Sequence, residues 1–96
     1  MSERRSYPAE LIINGRRISE VVIDPHYESK HDDINDTLIL ELVRGLNGLE
    51  FKAESREDDW EFFMLDRIDY QSKQYRLVWC MRDDCIFIGI INCFRR

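Results

Sequence analysis

The sequence predicts an α+β fold, a single domain over residues 1–96 in which one main amphipathic helix packs on a twisted antiparallel sheet. Two β-rich runs, Tyr75–Met81 and Cys85–Phe94, flank the polar trio Arg82-Asp83-Asp84 and are typical of a β-hairpin. An earlier segment has apolar residues at helical spacing. The composition, 44% hydrophobic and 11% aromatic, provides a core without a metal or a disulfide. The predicted order along the chain is β-β-α-β-β-β-β.

A first hairpin is predicted near the N-terminus. Residues 1–8 are polar and are expected to be frayed. Glu10–Ile13 and Arg16–Asp24 are predicted strands, because Asn14-Gly15 between them tolerates positive φ at both turn positions. Pro25 ends the second strand, since proline has no N–H to donate to a neighbouring strand.

A helix is the next predicted element. Asn35 or Asp36 is a suitable N-cap, and Asn47-Gly48 supplies the left-handed conformation that ends a helix. The helix is therefore predicted to run through Leu46. Its apolar residues form one stripe: Leu38, Ile39, Leu42, Val43 and Leu46.

Four strands are predicted after the helix. Leu49–Ala53 is the first, and Glu54–Asp59 is a charged loop. Trp60–Tyr70 fits either a helix or a strand, and its aromatic content favours a strand. Gln71–Gln74 forms the next turn. The last run, Cys85–Phe94, is apolar on both alternating faces, which predicts a central strand that is covered on both sides.

Charge and composition argue against several classes of protein. The net charge of −5 argues against extensive binding to nucleic acid, which a basic balance normally indicates. No apolar run approaches the ~20 residues of a membrane span, and no signal-peptide core is present, so a cytoplasmic protein without membrane association is expected. Cys80, Cys85 and Cys93 are expected to be buried thiols, although Cys80 and Cys85 could also form a disulfide across the hairpin. Their spacing does not match a zinc site, and neither a metal nor a cofactor is expected.

Both histidines of the chain lie in one short polar segment, His26 and His31, with Tyr27 and Lys30 between them. If this segment is helical, His26, Lys30 and His31 lie near one another. Such a cluster can transfer protons near neutral pH, because histidine titrates there. The alternative is a polar loop that simply contains these residues, and the sequence leaves both interpretations open.

Two arginines adjoin apolar strand residues. Arg76 stands within the run YRLVW, and Arg95 follows INCF directly. Because an unpaired buried charge is very costly, each guanidinium needs a carboxylate partner or an open face. One interpretation is an ion pair with Asp69, Asp66 or an acidic loop. The other is that both arginines rise from an uncovered part of the sheet and hold a phosphate in a bidentate fork.

Taken together, these features resemble the small ribonuclease toxins of toxin–antitoxin modules, in the RelE and BrnT group. Lys30-His31, ahead of a helix that begins near Ile34-Asn35-Asp36, is similar to the Lys-His opening of BrnT-like chains. Tyr75-Arg76-Leu77-Val78 is similar to a strand motif of RelE-like toxins. A final strand that ends in Arg95-Arg96 is similar to the arginine-bearing last strand of both. The three short matches extend over most of the chain from Asp24 onward.

The resemblance implies metal-independent RNA cleavage, in which a 2′-hydroxyl attacks the adjacent phosphate with help from a general base and a general acid. Imidazole groups would act as the base and the acid, and a lysine would support them. Guanidinium groups would stabilise the charge on the phosphate. RNA and a cognate antitoxin are the implied partners. The implied catalytic residues are His26, Lys30, His31, Arg76 and Arg95, and the implied substrate contacts are Tyr27 and Tyr75.

A second class of function is a non-catalytic binding protein. Three acidic clusters are present, Asp32-Asp33, Glu57-Asp58-Asp59 and Asp83-Asp84. Together with the net charge, they fit an immunity-like or antitoxin-like protein that masks a basic partner. A toxin fold that has lost its activity and kept its protein contacts fits the same residues. No feature of the sequence sets the oligomeric state.

Overall fold

The computed structural model describes residues 4–24, 34–84 and 86–96. Strands account for 60% of these residues and a helix for 11%, so the described chain is mostly β. The elements in chain order are β1 (Arg5–Ile13), β2 (Arg16–Ile23), α1 (Asp36–Arg44), β3 (Ser55–Glu57), β4 (Trp60–Tyr70), β5 (Lys73–Arg82) and β6 (Phe87–Arg95).

The six strands of the described residues belong to one sheet, in the order β1-β2-β6-β5-β4-β3. Four of the five neighbouring pairs are antiparallel, but β2 and β6 are parallel, with Glu20 opposite Phe87 and Ile23 opposite Ile90. The predicted fold class, α+β on an antiparallel sheet, is therefore wrong, because the sheet is mixed and the described chain is mostly β. Short turns fix antiparallel neighbours locally, whereas no turn joins β2 to β6 and so none indicates their direction.

The first strand begins earlier than the sequence predicts. β1 starts at Arg5, so residues 5–8 are not frayed. Arg5 Nε and Nη2 donate to the carboxylate of Asp36 at 2.5 and 2.9 Å, and the Tyr7 hydroxyl donates to the same carboxylate at 2.5 Å. These bonds connect the start of β1 to the first turn of α1. The polar composition of the segment does not indicate them, because it does not show which residues are its partners.

The helix begins where its cap predicts. The Asn35 Oδ1 accepts a hydrogen bond from the Leu38 N–H at 2.8 Å, which satisfies one of the free donors of the first turn. Ile39, Leu42 and Val43 are buried and belong to the core. α1 has nine residues, and no helix in the described parts of the chain is long and apolar enough to cross a membrane.

The helix ends at Arg44, two residues before the predicted Leu46. Residues 45–48 form a turn instead, and the Gly48 N–H donates to the Ile12 carbonyl of β1 at 2.7 Å. Leu46 remains buried. The contact with β1 thus ends the helix early without exposing its apolar stripe.

No strand forms at residues 49–53, where one was predicted, and a short strand, Ser55–Glu57, forms where a loop was predicted. The segment is attached to β1–β2 by the Asn14 side chain, which donates to the Phe51 carbonyl at 3.0 Å and accepts from its N–H at 2.6 Å. The Phe51 ring then packs edge-on against Trp79, with ring centroids 5.2 Å apart. The Asn14 side chain therefore makes the backbone hydrogen bonds of Phe51 that a neighbouring strand would otherwise make.

The core lies on one face of the sheet, under α1 and the segment that follows it. In β5, Tyr75, Leu77, Trp79 and Met81 are buried, as their alternation predicts. Trp79 also stacks on Phe63 of β4 at 5.4 Å between ring centroids. The opposite side, which we call the open face, is half-exposed. It carries Trp60, Phe62, Met64, Arg76, Val78, Cys80, Arg82, Phe87, Gly89 and Phe94.

Candidate anion-binding site at the basic end of the sheet

Charge is divided between the two ends of the β4–β5–β6 meander. The β4–β5 turn and the carboxyl end of β6 lie together, because Tyr75 pairs with Arg95 and the Arg96 N–H donates to the Gln74 carbonyl at 2.8 Å. We call this region the basic end. It carries five cations, Arg67, Lys73, Arg76, Arg95 and Arg96, against two acids, Asp66 and Asp69. A chain of net charge −5 therefore has one locally positive end.

Two guanidinium groups of the basic end meet at one carboxylate. Arg76 Nε donates to Asp66 Oδ1 at 2.8 Å, and Arg76 Nη2 lies 2.7 Å from the same oxygen. Arg96 Nη1 donates to the other carboxylate oxygen and, at 3.0 Å, to the Asp66 carbonyl. The side chains of Arg76 and Arg96 are 40% and 31% exposed, so both remain accessible from solvent.

Asp66 lies in a β-bulge. The pairing of β4 with β5 shifts between Leu65 and Ile68, so one extra residue is placed in β4. Bulges redirect a side chain locally and are common near functional sites. Partial desolvation raises the pKa of Asp66, but hydrogen bonds from Arg76 and Arg96 outweigh it and hold that pKa below its ordinary value. The carboxylate is therefore ionised at neutral pH.

A shallow cleft of about 390 Å³ lies at the basic end, and Arg96 is one of the residues that line it. The β4–β5 turn shapes one wall, where Gln71 and Ser72 both have positive φ, 49° and 67°. The cleft is lined by Asp69, Ser72, Lys73, Gln74, Arg95 and Arg96. Lysine and arginine around a solvent-open concavity favour an anion such as phosphate.

The structure places three of the predicted site residues. Arg76 lies on the open face, and its partner is Asp66, one of the alternatives that the sequence offers for an ion pair. Arg95 is exposed at the end of β6 and lines the cleft. Tyr75 is 4% exposed and belongs to the core, so its ring does not offer a stacking surface in this structure. The other predicted residues, His26, Tyr27, Lys30 and His31, lie outside the described residues, as do Pro25, Asp32, Asp33 and Cys85.

Sequence reasoning missed Arg96 and Lys73. In the sequence Arg96 is only the second half of a doublet, and the resemblance implies a role for Arg95 instead. Alternation offers the missing signal: Arg95 pairs with Tyr75, whose side chain faces the core, so the adjacent residue is the better candidate to meet Arg76. Lys73 is the first residue of β5, but the predicted turn, Gln71–Gln74, includes it, so the sequence did not assign it to a strand.

Aromatic rings lie on the open face beyond the arginines. Phe94 stands directly opposite Arg76 in the β5–β6 pairing. At the far end, Trp60 contacts Phe87 edge-on with ring centroids 5.8 Å apart, and the Arg82 guanidinium lies 5.7 Å from the Trp60 ring centroid. The open face thus presents rings and cations together.

The acidic turns lie at the opposite end. The β3–β4 and β5–β6 turns adjoin, because the Asp83 N–H donates to the Asp59 carbonyl at 3.4 Å. Arg56 Nη2 donates to Asp83 at 2.5 Å, and this hydrogen bond lowers the pKa of Asp83. Arg16 pairs with Glu61 beside them. Among the described residues, no group of three or more potential ligands is arranged to hold a metal ion.

Comparison with protein-family models, with curated protein sequences and with solved structures finds no match to this chain.

Proposed function

We propose that this protein binds single-stranded RNA and cleaves it without a metal, as the toxin half of a toxin–antitoxin module in the cytoplasm. One observation carries the proposal: the guanidinium groups of Arg76 and Arg96 meet beside a cleft that Lys73 and Arg95 line. Two guanidinium groups can donate to the two non-bridging oxygens of a phosphodiester, and the nearby cations of the cleft attract the other phosphates of the strand.

Single-stranded RNA fits this end of the sheet better than a duplex does. A duplex presents a long row of phosphates, and the net charge of −5 opposes wide contact with it. A single strand needs only local cations and rings on which its bases stack. Phe94 opposite Arg76, and Phe62 further along the open face, supply such rings within the sheet.

Cleavage belongs to the same proposal. A 2′-hydroxyl attacks the adjacent phosphorus, the bond to the 5′-oxygen breaks, and a proton moves from the nucleophile to the leaving group through base and acid. His26 and His31 are the proposed base and acid, and Lys30 supports them. Arg76 and Arg96 stabilise the charge on the phosphate oxygens, and Arg95, which lines the cleft, holds the same RNA strand beside them. A cognate antitoxin is the proposed protein partner.

Binding tests the proposal first. We expect the double variant Arg76→Ala/Arg96→Ala to bind a fluorescein-labelled single-stranded RNA about tenfold or more weakly, measured by fluorescence anisotropy at fixed salt. The dependence of log affinity on log salt should become shallower by about 0.7 for each phosphate that the variant no longer neutralises. Arg44→Ala is the matched control, because Arg44 is 71% exposed on α1, away from the basic end. An equal weakening in the control, or no binding by the unaltered protein, would contradict the proposal.

Cleavage is tested separately, by following total RNA and growth after expression of the protein alone. We expect RNA degradation and arrested growth with the unaltered protein, and neither with His31→Ala/Arg76→Ala. Intact RNA in the presence of folded, RNA-binding protein would remove the catalytic step and leave binding.

The convergence of the acidic turns favours a second candidate function, a protein that masks a basic partner. Glu57, Asp58 and Asp59 adjoin Asp83 at one end of the sheet. Acidic surfaces accelerate association with basic partners in a salt-dependent manner. Capture of one basic protein at low salt, abolished by Glu57→Lys/Asp58→Lys and kept by Arg76→Ala/Arg96→Ala, would favour this candidate over RNA binding.

A further inference from the structure

We propose that Asp66 is an internal competitor for phosphate: in the free protein its carboxylate occupies the site that Arg76 and Arg96 form, and an RNA phosphate binds by displacing it. The inference rests on the proposed function for the identity of the ligand. It adds a defined binding position and a device that weakens binding.

The geometry supports this substitution. Arg76 donates to one oxygen of the carboxylate and Arg96 donates to the other. A phosphate group also presents two or more oxygens to paired guanidinium groups, and it forms the same charge-assisted hydrogen bonds. The carboxylate therefore holds the two arginines in the arrangement that a phosphate would use. It also reduces the repulsion between the two cations in the free protein.

Asp66 is easier to displace than the two enclosed carboxylates that arginines bind, Asp36 and Glu61. Its side chain is 55% exposed, whereas that of Asp36 beside Arg5 is 15% exposed and that of Glu61 beside Arg16 is 19% exposed. An exposed ion pair contributes little to stability, so Asp66 can rotate into water without leaving a buried charge unpaired. Enclosed carboxylates such as Asp36 lack this freedom.

Competition by Asp66 has a definite consequence for affinity. Any anion that enters the site must first break both guanidinium contacts with the carboxylate. A monovalent anion that makes a single contact does not compensate for the lost contacts of Asp66. A phosphate within an RNA strand does, because the same strand also contacts Lys73 and Arg95. Asp66 thus selects for phosphates that belong to a polyanion, and its charge sets the apparent dissociation constant.

The test compares Asp66→Asn with Asp69→Asn. Both variants remove one negative charge from the basic end, and asparagine keeps the size of the side chain. Asp69 lines the cleft, but its carboxylate does not bridge the two arginines. We expect Asp66→Asn to bind single-stranded RNA about threefold to tenfold more tightly than the unaltered protein. We expect Asp69→Asn to tighten binding less, by about twofold, because it removes a charge from the cleft lining but frees no guanidinium group.

A second measurement separates this inference from the proposed function. Inorganic phosphate is added to ¹⁵N-labelled protein while the side-chain Nε–H signals of Arg76 and Arg96 are followed by NMR. Phosphate should shift both signals at a lower concentration in Asp66→Asn than in the unaltered protein. If phosphate shifts both signals at a lower concentration in Asp66→Asn but RNA does not bind, the competition by Asp66 is supported and the proposed RNA function is contradicted.

Three results would overturn the inference. Equal tightening in Asp66→Asn and Asp69→Asn would mean that only net charge matters. Weaker binding by folded Asp66→Asn would mean that Asp66 supports the site. No shift of either arginine signal with phosphate, in any variant, would mean that these guanidinium groups do not form an anion site.

Discussion

Gly89 offers a sharp test of the pairing that supports the open face. It lies in β6 directly opposite Cys80 of β5. A Cβ atom added at position 89 would lie 3.0 Å from the Cys80 Sγ and 3.8 Å from a ring carbon of Phe87. The first contact is too short for ordinary packing, so Gly89→Ala forces the thiol or the strand to move.

The cost follows from two opposing terms. Overpacking of this kind costs about 1–3 kcal/mol. Alanine returns about 0.4–1 kcal/mol, because it reduces the conformational entropy of the unfolded chain. We therefore expect Gly89→Ala to lower the free energy of unfolding by about 1–2 kcal/mol.

A double-mutant cycle isolates the contact. Cys80→Ala removes the sulfur, so Cys80→Ala/Gly89→Ala should be more stable than the sum of the single changes predicts, with a coupling of about 1 kcal/mol. Urea unfolding followed by tryptophan fluorescence measures all four proteins. Additive effects of the two substitutions would refute the reasoning, because they would mean that the thiol does not crowd position 89.

Two further predictions concern α1 and β1. Asn35→Ala should destabilise the protein by about 1 kcal/mol because it removes the N-cap bond to Leu38, and thermal unfolding beside the neighbouring control Thr37→Ala measures this. The hydrogen bond to Asp36 is the main cause of the raised pKa of Tyr7, so its contribution to stability is complete below pH ~10 and is lost as the pH rises further. Unfolding midpoints should therefore fall more steeply above pH ~10 in the unaltered protein than in Tyr7→Phe, and parallel curves would argue against this bond.

Local signals in the sequence predicted the elements that depend on local chemistry. Asn14 and Gly15 both have positive φ, 54° and 73°, as their hairpin turn requires. Trp60–Tyr70 is a strand, as its aromatic content indicated, and the alternation of β5 gave its buried face. Such features depend on residues that are neighbours in the chain, so the sequence records them directly.

Features that depend on distant residues were not predictable in the same way. The parallel pairing of β2 with β6 sets the mixed sheet, yet no turn joins these two strands. Residues 49–53 alternate like a strand, but the side chain of Asn14 binds the backbone of Phe51 in place of a neighbouring strand. The α+β antiparallel prediction failed at these long-range contacts.

The candidate site shows the same division. Arg76 and the possible carboxylate partner Asp66 were both identified from sequence. The role of Arg96 depends on the bulge in β4 and on the end of β6 lying beside the start of β5. The bulge and the pairing of β5 with β6 are both features of strand register, which cannot be read from the sequence alone.

The most direct test of RNA binding at the basic end is an NMR map of the backbone amides on addition of single-stranded RNA. We predict that shifts concentrate at two segments of the basic end, Ser72–Arg76 and Phe94–Arg96, and spare the acidic turns at Glu57–Asp59 and Asp83-Asp84. Shifts centred on the acidic turns, or no shifts at all at concentrations where the basic end should be filled, would contradict it.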